Sequence, residues 1–69
     1  MRDDPFPGIG TAEMRRRIAD ARLGKTNTVV ATMRLIDKAD FADIGAAIGY
    51  SRYTASRRYN DVVEQLKNG

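Results

Sequence analysis

The chain has 69 residues, contains neither cysteine nor histidine, and carries a formal net charge of +3 at pH 7. This length allows a single domain with a free energy of unfolding of roughly 3–10 kcal/mol. Because cysteine and histidine are absent, the composition excludes disulfide bonds, thiolate metal sites and imidazole chemistry, so we expect no enzyme and no cofactor. No apolar run approaches the roughly 20 residues of a membrane span, and the first residues do not resemble a signal peptide. We therefore expect a cytoplasmic protein.

Residues 1–10 contain both prolines, which predicts an irregular N-terminal arm before a helical domain over residues 11–69. Thr11 is the predicted N-cap of a first helix that runs to about Leu23, where Gly24 ends it. Three consecutive arginines lie largely off the apolar face of this helix, and they form either a solvated surface or a clamp for phosphate groups: Arg15, Arg16 and Arg17. The apolar face itself is formed by Met14, Ile18, Ala21 and Leu23.

A second helix is expected to begin near Thr26 or Thr28 and to reach about Lys38. Its apolar residues repeat at helical spacing, with Val30 widening the face that is set by Val29, Met33 and Ile36. No Asn-Gly or Asp-Gly pair lies between alternating apolar runs, so the sequence predicts no hairpin. The fold class that follows is all-α, a compact domain of three to four helices. Only residues 67–69 follow Leu66, which disfavours a β-wing.

The third predicted helix, residues 41–48, begins after Asp40 as N-cap and ends at Gly49, where a positive φ costs glycine little. Ser51 is the predicted cap of a fourth helix that runs to about Lys67. Three acidic residues surround the start of the third helix, and because a phosphate-facing surface would avoid them, we expect this end to point outward or to help cap the helix: Asp37, Asp40 and Asp43. The inward-facing residues of the third helix are Phe41, Ile44 and Ile48.

Residues 41–60 have the start and stop signals of a helix-turn-helix, since a short helix ends at glycine and a second helix starts at a serine after a brief turn. Gly45 lies four residues before Gly49, where a large side chain would hold the two helices apart. Residues 49–60, GYSRYTASRRYN, resemble the turn and recognition helix of lac-repressor-like regulators, whose pattern is GVSxxTVSRxxN. Gly45 and residues 48–50 are also similar to the phage repressor and Cro family. Arg58 departs from both families, because they usually have an apolar residue there.

The resemblance implies that the recognition helix, residues 51–67, enters the major groove of double-stranded DNA. The apolar stripe of this helix is formed by Ala55, Tyr59, Val62 and Leu66, and packing is the expected role of both Tyr50 and Tyr59. Arginine pairs with guanine and asparagine with adenine, so the residues opposite the stripe are candidate base readers. The candidate DNA-binding residues are Ser51, Arg52, Tyr53, Ser56, Arg57, Arg58 and Asn60, together with Arg15, Arg16 and Arg17.

The function expected from this motif is sequence-specific DNA binding, as a transcriptional repressor or regulator encoded by a plasmid or phage. The alternatives are a plasmid stability, partition or excisionase-type factor, and a helical module that docks an acidic protein. The expected partners are double-stranded DNA and a second copy on DNA, with no membrane and no small-molecule ligand. Phe6, Ile9 and Val63 are the candidate contacts between copies, and bound copies would be associated with the nucleoid.

Overall fold

The computed structural model describes residues 6–68, and within that range the chain is helical and contains no strand. The all-α prediction is therefore confirmed. Residues 1–5 of the predicted arm and Gly69 lie outside the described residues. No helix within residues 6–68 combines the length and apolar character needed to cross a bilayer. The helices are α1 (Thr11–Ala21), α2 (Lys25–Ala31), α3 (Phe41–Ile48) and α4 (Arg52–Asn68), and a π-helical segment, Thr32–Ile36, continues α2.

Buried apolar side chains from all four α-helices form one core, and α4 packs most extensively against α3 and then α2. Full burial of a valine or isoleucine side chain stabilises a fold by about 1.5–3 kcal/mol. Phe6 is also buried, and Ile9 packs partly against the core, so the described part of the arm belongs to the domain. The other buried residues are Met14, Ile18, Leu23, Val30, Ala31, Ile44, Ala55, Val62 and Leu66.

The boundaries of α1 differ from the prediction at both ends. Gly10, not Thr11, occupies the N-cap position, and no side chain caps this end. Arg22, rather than Gly24, adopts the left-handed conformation with φ 52°, and its N–H donates to the carbonyl of Ala19. This early end has a packing reason, because the chain turns at Arg22 and brings Leu23 back into the core.

In α2 the buried face differs from the predicted one by about one residue. Val30 is fully buried, whereas Val29, which was expected to face inward, is 36% exposed. Ala31 is also fully buried, and the small alanine lets this neighbouring position pack closely. After Ala31 the helix changes to π geometry, with the N–H of Asp37 donating to the carbonyl of Thr32 at 3.1 Å. The wider turns change the helical phase, so a single period of 3.6 residues does not describe the whole segment.

The boundaries of α3 and the start of α4 are confirmed. The Oδ1 atom of Asp40 accepts the N–H of Asp43 at 3.0 Å, and Gly49 ends α3 with φ 81°. Ser51 caps α4, because its Oγ atom accepts the N–H of Thr54 at 3.2 Å. The inward positions are also as expected, although Ile44 is fully buried while Ile48 is only partly buried.

Gly45 is where α3 meets the turn most closely. A Cβ atom at this position would lie 2.7 Å from the backbone oxygen of Tyr50 and 2.8 Å from the carbonyl carbon of Ser51. Both neighbours are backbone atoms, so the chain itself would have to shift. The N–H of Tyr50 donates to the carbonyl of Gly45 at 2.8 Å and closes the end of the helix. The turn therefore requires a residue without a side chain at Gly45.

Arg34, in the π-helical segment, connects three parts of the fold. Its guanidinium lies 4.3 Å from the ring centroid of Phe41 and 5.8 Å from that of Tyr59. Its Nη1 atom donates to the carbonyl of Ala39 at 2.9 Å and holds the loop before α3. Cation–π contacts of this kind contribute about 0.5–2 kcal/mol, so Arg34 stabilises the approach of α3 to α4.

Candidate nucleic-acid interface

The first half of α4 presents a continuous exposed face of polar and aromatic side chains. Ala55, Val62 and Leu66 are buried, and they fix the rotation of the helix about its axis. At 100° per residue, Tyr53, Arg57, Asn60 and Glu64 then project on the opposite side, and all four are exposed. Tyr53 is 69% exposed, which is unusual for a tyrosine without a partner surface.

Arg57 and Tyr53 lie one helical turn apart on this face and contact each other. The guanidinium carbon of Arg57 is 5.8 Å from the ring centroid of Tyr53. A guanidinium within about 6 Å of a ring centroid is attracted to the ring, by about 0.5–1 kcal/mol at an exposed site. The contact therefore favours rotamers that keep Arg57 beside Tyr53.

A groove of about 460 Å³ separates the first turns of α3 and α4. Apolar and charged groups share its walls, with Arg52 and Asp40 on opposite helices. Asp40 caps α3, as expected, and it also lines this groove because the turn folds α3 back alongside α4. Asp37 and Asp43 do not line this groove, whose walls are formed by Asp40, Phe41, Ala42, Arg52, Tyr53 and Ser56.

Ser51 and Ser56 differ from the exposed side chains on the outer face of α4. Ser51 is exposed, but its Oγ atom caps α4 and also lies 3.3 Å from the hydroxyl of Thr54. Ser56 is half-buried on the flank of α4 that faces α3. Both serines therefore border the exposed face, where they can contact a ligand only at its edge.

Arg58 lies on the other flank of α4, toward α2. Its Nη1 atom donates to Oδ1 of Asn27 at 3.3 Å, and its guanidinium lies 5.1 Å from the ring centroid of Tyr50. Its Nε atom is buried without a hydrogen-bond partner. The resemblance leads one to expect an apolar residue at this position, but Arg58 makes a polar contact with α2 there. Arg58 therefore lies on a different side of α4 from Arg57.

The two tyrosines with a predicted packing role differ in their environment. Tyr59 packs partly against the core, with its ring centroid 5.6 Å from that of Phe41. Tyr50 is 50% exposed, and its ring lies beside the guanidinium of Arg58. Packing therefore accounts for Tyr59 more fully than for Tyr50.

Two of the three arginines in the α1 run form ion pairs with a single carboxylate. Arg16 and Arg17 both form ion pairs with Glu13, at 2.7 and 3.2 Å. These hydrogen bonds, first from Arg16 and then from Arg17, lower the pKa of Glu13 below its ordinary value of 4.5. The same contact with Glu13 raises the pKa of Arg16. Within residues 6–68, Arg15 has no ion pair, which leaves it the least constrained of the three.

The three α1 arginines also point in different directions. Successive residues rotate by about 100°, so Arg15 and Arg17 flank the buried face of α1 on opposite sides. Arg17 borders a second groove of about 360 Å³ together with Asp20 and with Gln65 of α4. Gln65 lies roughly 18 Å along the helix from Tyr53, at 1.5 Å per residue. The structure therefore does not join Arg17 to the exposed face in the first half of α4.

Sequence reasoning missed the part that Glu13 and Asp40 have in these surfaces. The spacing of Glu13 to Arg16 and Arg17, three and four residues, is that of a helical ion pair and could have revealed the first. No local signal in the sequence reveals the role of Asp40, because Asp40 reaches the groove only through the turn.

Comparisons with family models, with curated proteins and with solved structures find no match for this chain. The resemblance to lac-repressor-like regulators thus remains a prediction from the motif.

Proposed function

We propose that this protein binds double-stranded DNA sequence-specifically and places the first half of α4 in the major groove. The observation that carries the proposal is the exposed face formed by Tyr53, Arg57 and Asn60 directly after a tight, capped turn. Arg52 stands at the start of the same helix. Arginine recognises guanine through two acceptors, asparagine recognises adenine, and each good pair discriminates by about 1–3 kcal/mol.

The packing of α4 supports this role physically. A reading helix must hold its side chains in register with the base pairs, which requires rigid support from behind. Ala55 and Val62 are fully buried, and the backbone approach at Gly45 fixes the start of the helix against α3. The exposed side chains are thus carried by a secondary-structure element, and only their own rotamers are free to adapt.

The proposed biological role is that of a small transcriptional regulator, a repressor of plasmid or phage type, that acts in the cytoplasm on nucleoid DNA. One helix of this kind reads only a few base pairs, so we expect two copies to occupy neighbouring half-sites. Phe6 is 8% exposed, and Ile9 and Val63 pack partly against the core of the same chain. These side chains therefore pack largely within their own domain and offer little surface to a second copy, which favours a monomer in solution and pairing on DNA.

Selection of bound duplexes from a random library tests the proposal. We expect an enriched motif of a few base pairs per copy, and binding to it should weaken steeply as salt concentration rises. A module that docks an acidic protein would share the salt dependence but would enrich no motif. Equal affinity for all duplexes, or no retention of DNA at low salt, would contradict sequence-specific binding.

A further inference from the structure

We propose that Asp40 is a specificity determinant that selects a base with an exocyclic amino group, cytosine or adenine, at the edge of the recognised site. This inference rests on the proposed DNA-binding function and deepens it. Asp40 precedes α3, yet it lines the groove beside the first turn of α4 together with Arg52 and Tyr53, which belong to the proposed reading surface. Base selection would then be shared between two helices of the motif.

The carboxylate of Asp40 is held in place and keeps one oxygen available. Its Oδ1 atom accepts the N–H of Asp43 at 3.0 Å, which fixes the orientation of the whole group. No other hydrogen bond or ion pair of Asp40 occurs within residues 6–68, so Oδ2 is free to accept from a ligand. Arg52 lines the same groove without an ion pair to Asp40, and both charges can therefore act on a ligand separately.

The chemistry of the major groove determines what such an oxygen can accept. Only the amino groups of cytosine and adenine donate hydrogen bonds there, whereas guanine and the thymine oxygen present acceptors. An ionised carboxylate only accepts hydrogen bonds, so it attracts the amino groups of cytosine and adenine and repels the acceptor atoms of guanine and thymine. Apolar walls from Phe41 and Ala42 lower the competition from water in the groove.

The position of Asp40 also has a general electrostatic cost. A carboxylate near DNA phosphates weakens binding to every sequence through repulsion. Specificity results when a hydrogen bond from one base edge offsets this loss of binding free energy. Asp43 provides the comparison within the same helix turn, because it carries the same charge, is also exposed and does not line the groove. A difference between the two residues therefore isolates recognition from net charge.

The test uses Asp40→Asn and Asp43→Asn with duplexes selected by the wild-type protein. Asparagine is as good an N-cap as aspartate, so Asp40→Asn retains the fold while it places an amide donor toward the groove. A second variant, Asp40→Ser, keeps a capping oxygen but shortens the side chain. Melting curves of all three variants should stay close to that of the wild type, and affinity is then measured with each base in turn at every enriched position.

We expect the wild type to prefer cytosine or adenine at one edge position by roughly fivefold or more, which corresponds to about 1 kcal/mol. Asp40→Asn should abolish this preference or move it toward guanine or thymine, Asp40→Ser should abolish it, and Asp43→Asn should leave it unchanged. If the Asp40 and Asp43 variants raise affinity equally for all four bases, Asp40 acts only through its charge and the inference is wrong, although DNA binding stands. If the wild type enriches no motif at all, both the inference and the proposed function fail.

Discussion

Two surfaces of this small domain carry arginines, and they differ in what holds them. On α1, Glu13 forms ion pairs with Arg16 and Arg17, and both pairs are made within the same helix. On α4, Arg52 and Arg57 have no ion pair within residues 6–68, and the helix beneath them is anchored by fully buried side chains. Arg16 and Arg17 of α1 thus share one carboxylate, whereas Arg52 and Arg57 of α4 have no acidic partner within the same residues.

The difference shows that a count of basic residues does not indicate which of them lack an acidic partner. Exposed ion pairs contribute little to stability, about 0–1 kcal/mol, but they still reduce the charge that a helix presents to a phosphate. A helix anchored in the core contributes directional hydrogen-bond donors as well as charge. We therefore propose that α4 reads the sequence and that α1 contributes, at most, a backbone contact.

The largest expected effect comes from removing the packing beneath α4. Ile44→Ala should lower the free energy of unfolding by about 2–5 kcal/mol, because Ile44 is fully buried between α3 and the rest of the core. Ile48→Ala should cost less, since its side chain is only partly buried. Denaturant unfolding of both variants measures the difference, and a larger loss for Ile48 would mean that the packing of α3 is misassigned.

Arg57→Ala tests the reading surface itself. Specific binding should weaken by about 1–3 kcal/mol, and the preference at one base pair should relax. The control is Arg15→Ala, which removes the same charge from an exposed arginine of α1 and should leave the preferred sequence unchanged. A uniform loss on selected and random duplexes would make Arg57 a phosphate contact instead.

Replacement of all three α1 arginines by glutamine sharpens the comparison further. Each phosphate contact adds about 0.9 to the slope of log affinity against log salt. Because Glu13 engages Arg16 and Arg17, the triple variant should lower this slope by about one contact, no more than Arg15→Gln alone. The preferred sequence should not change. A fall equivalent to three contacts would show that the whole run clamps the backbone.

The smallest expected effect follows from Glu13→Gln, which releases Arg16 and Arg17. The pKa of Glu13 is lowered in the folded protein, so its ion pairs are present above the ordinary value of 4.5 and are lost as the pH falls through the lowered pKa. Removal of the carboxylate at neutral pH should raise affinity for random duplexes slightly, without a new base preference. Asp20→Asn is the matched control in α1, and an equal gain from both variants would assign the effect to net charge.

The α3–α4 half could be predicted from the sequence because its boundaries depend on local chemistry. The cap at Asp40, the positive φ of Gly49 and the cap at Ser51 each follow from one residue type at one position. The order of the helices and the buried stripe of α4 follow from apolar periodicity in the same way. This half also contains the proposed reading surface, so most of the candidate site was predictable.

The α1–α2 half and the edges of the site depend on tertiary contacts instead. Val29 and Val30 are equally apolar, and only packing decides which of them is buried. Arg58 meets Asn27 across a sequence separation of 31 residues, and no local pattern indicates that pair. The π-helical geometry of Thr32–Ile36 likewise depends on the path of the chain into α3, and helix propensity does not predict it.

Chemical protection on a selected duplex tests the central claim most directly. Dimethyl sulfate methylates guanine at N7, an atom that an arginine in the major groove covers. The wild type should protect at least one guanine of the motif, Arg57→Ala or Arg52→Ala should remove a specific protection, and the α1 triple variant should keep the pattern. Bound duplex without any protected guanine N7, or protection that depends on the α1 arginines, would contradict reading by α4.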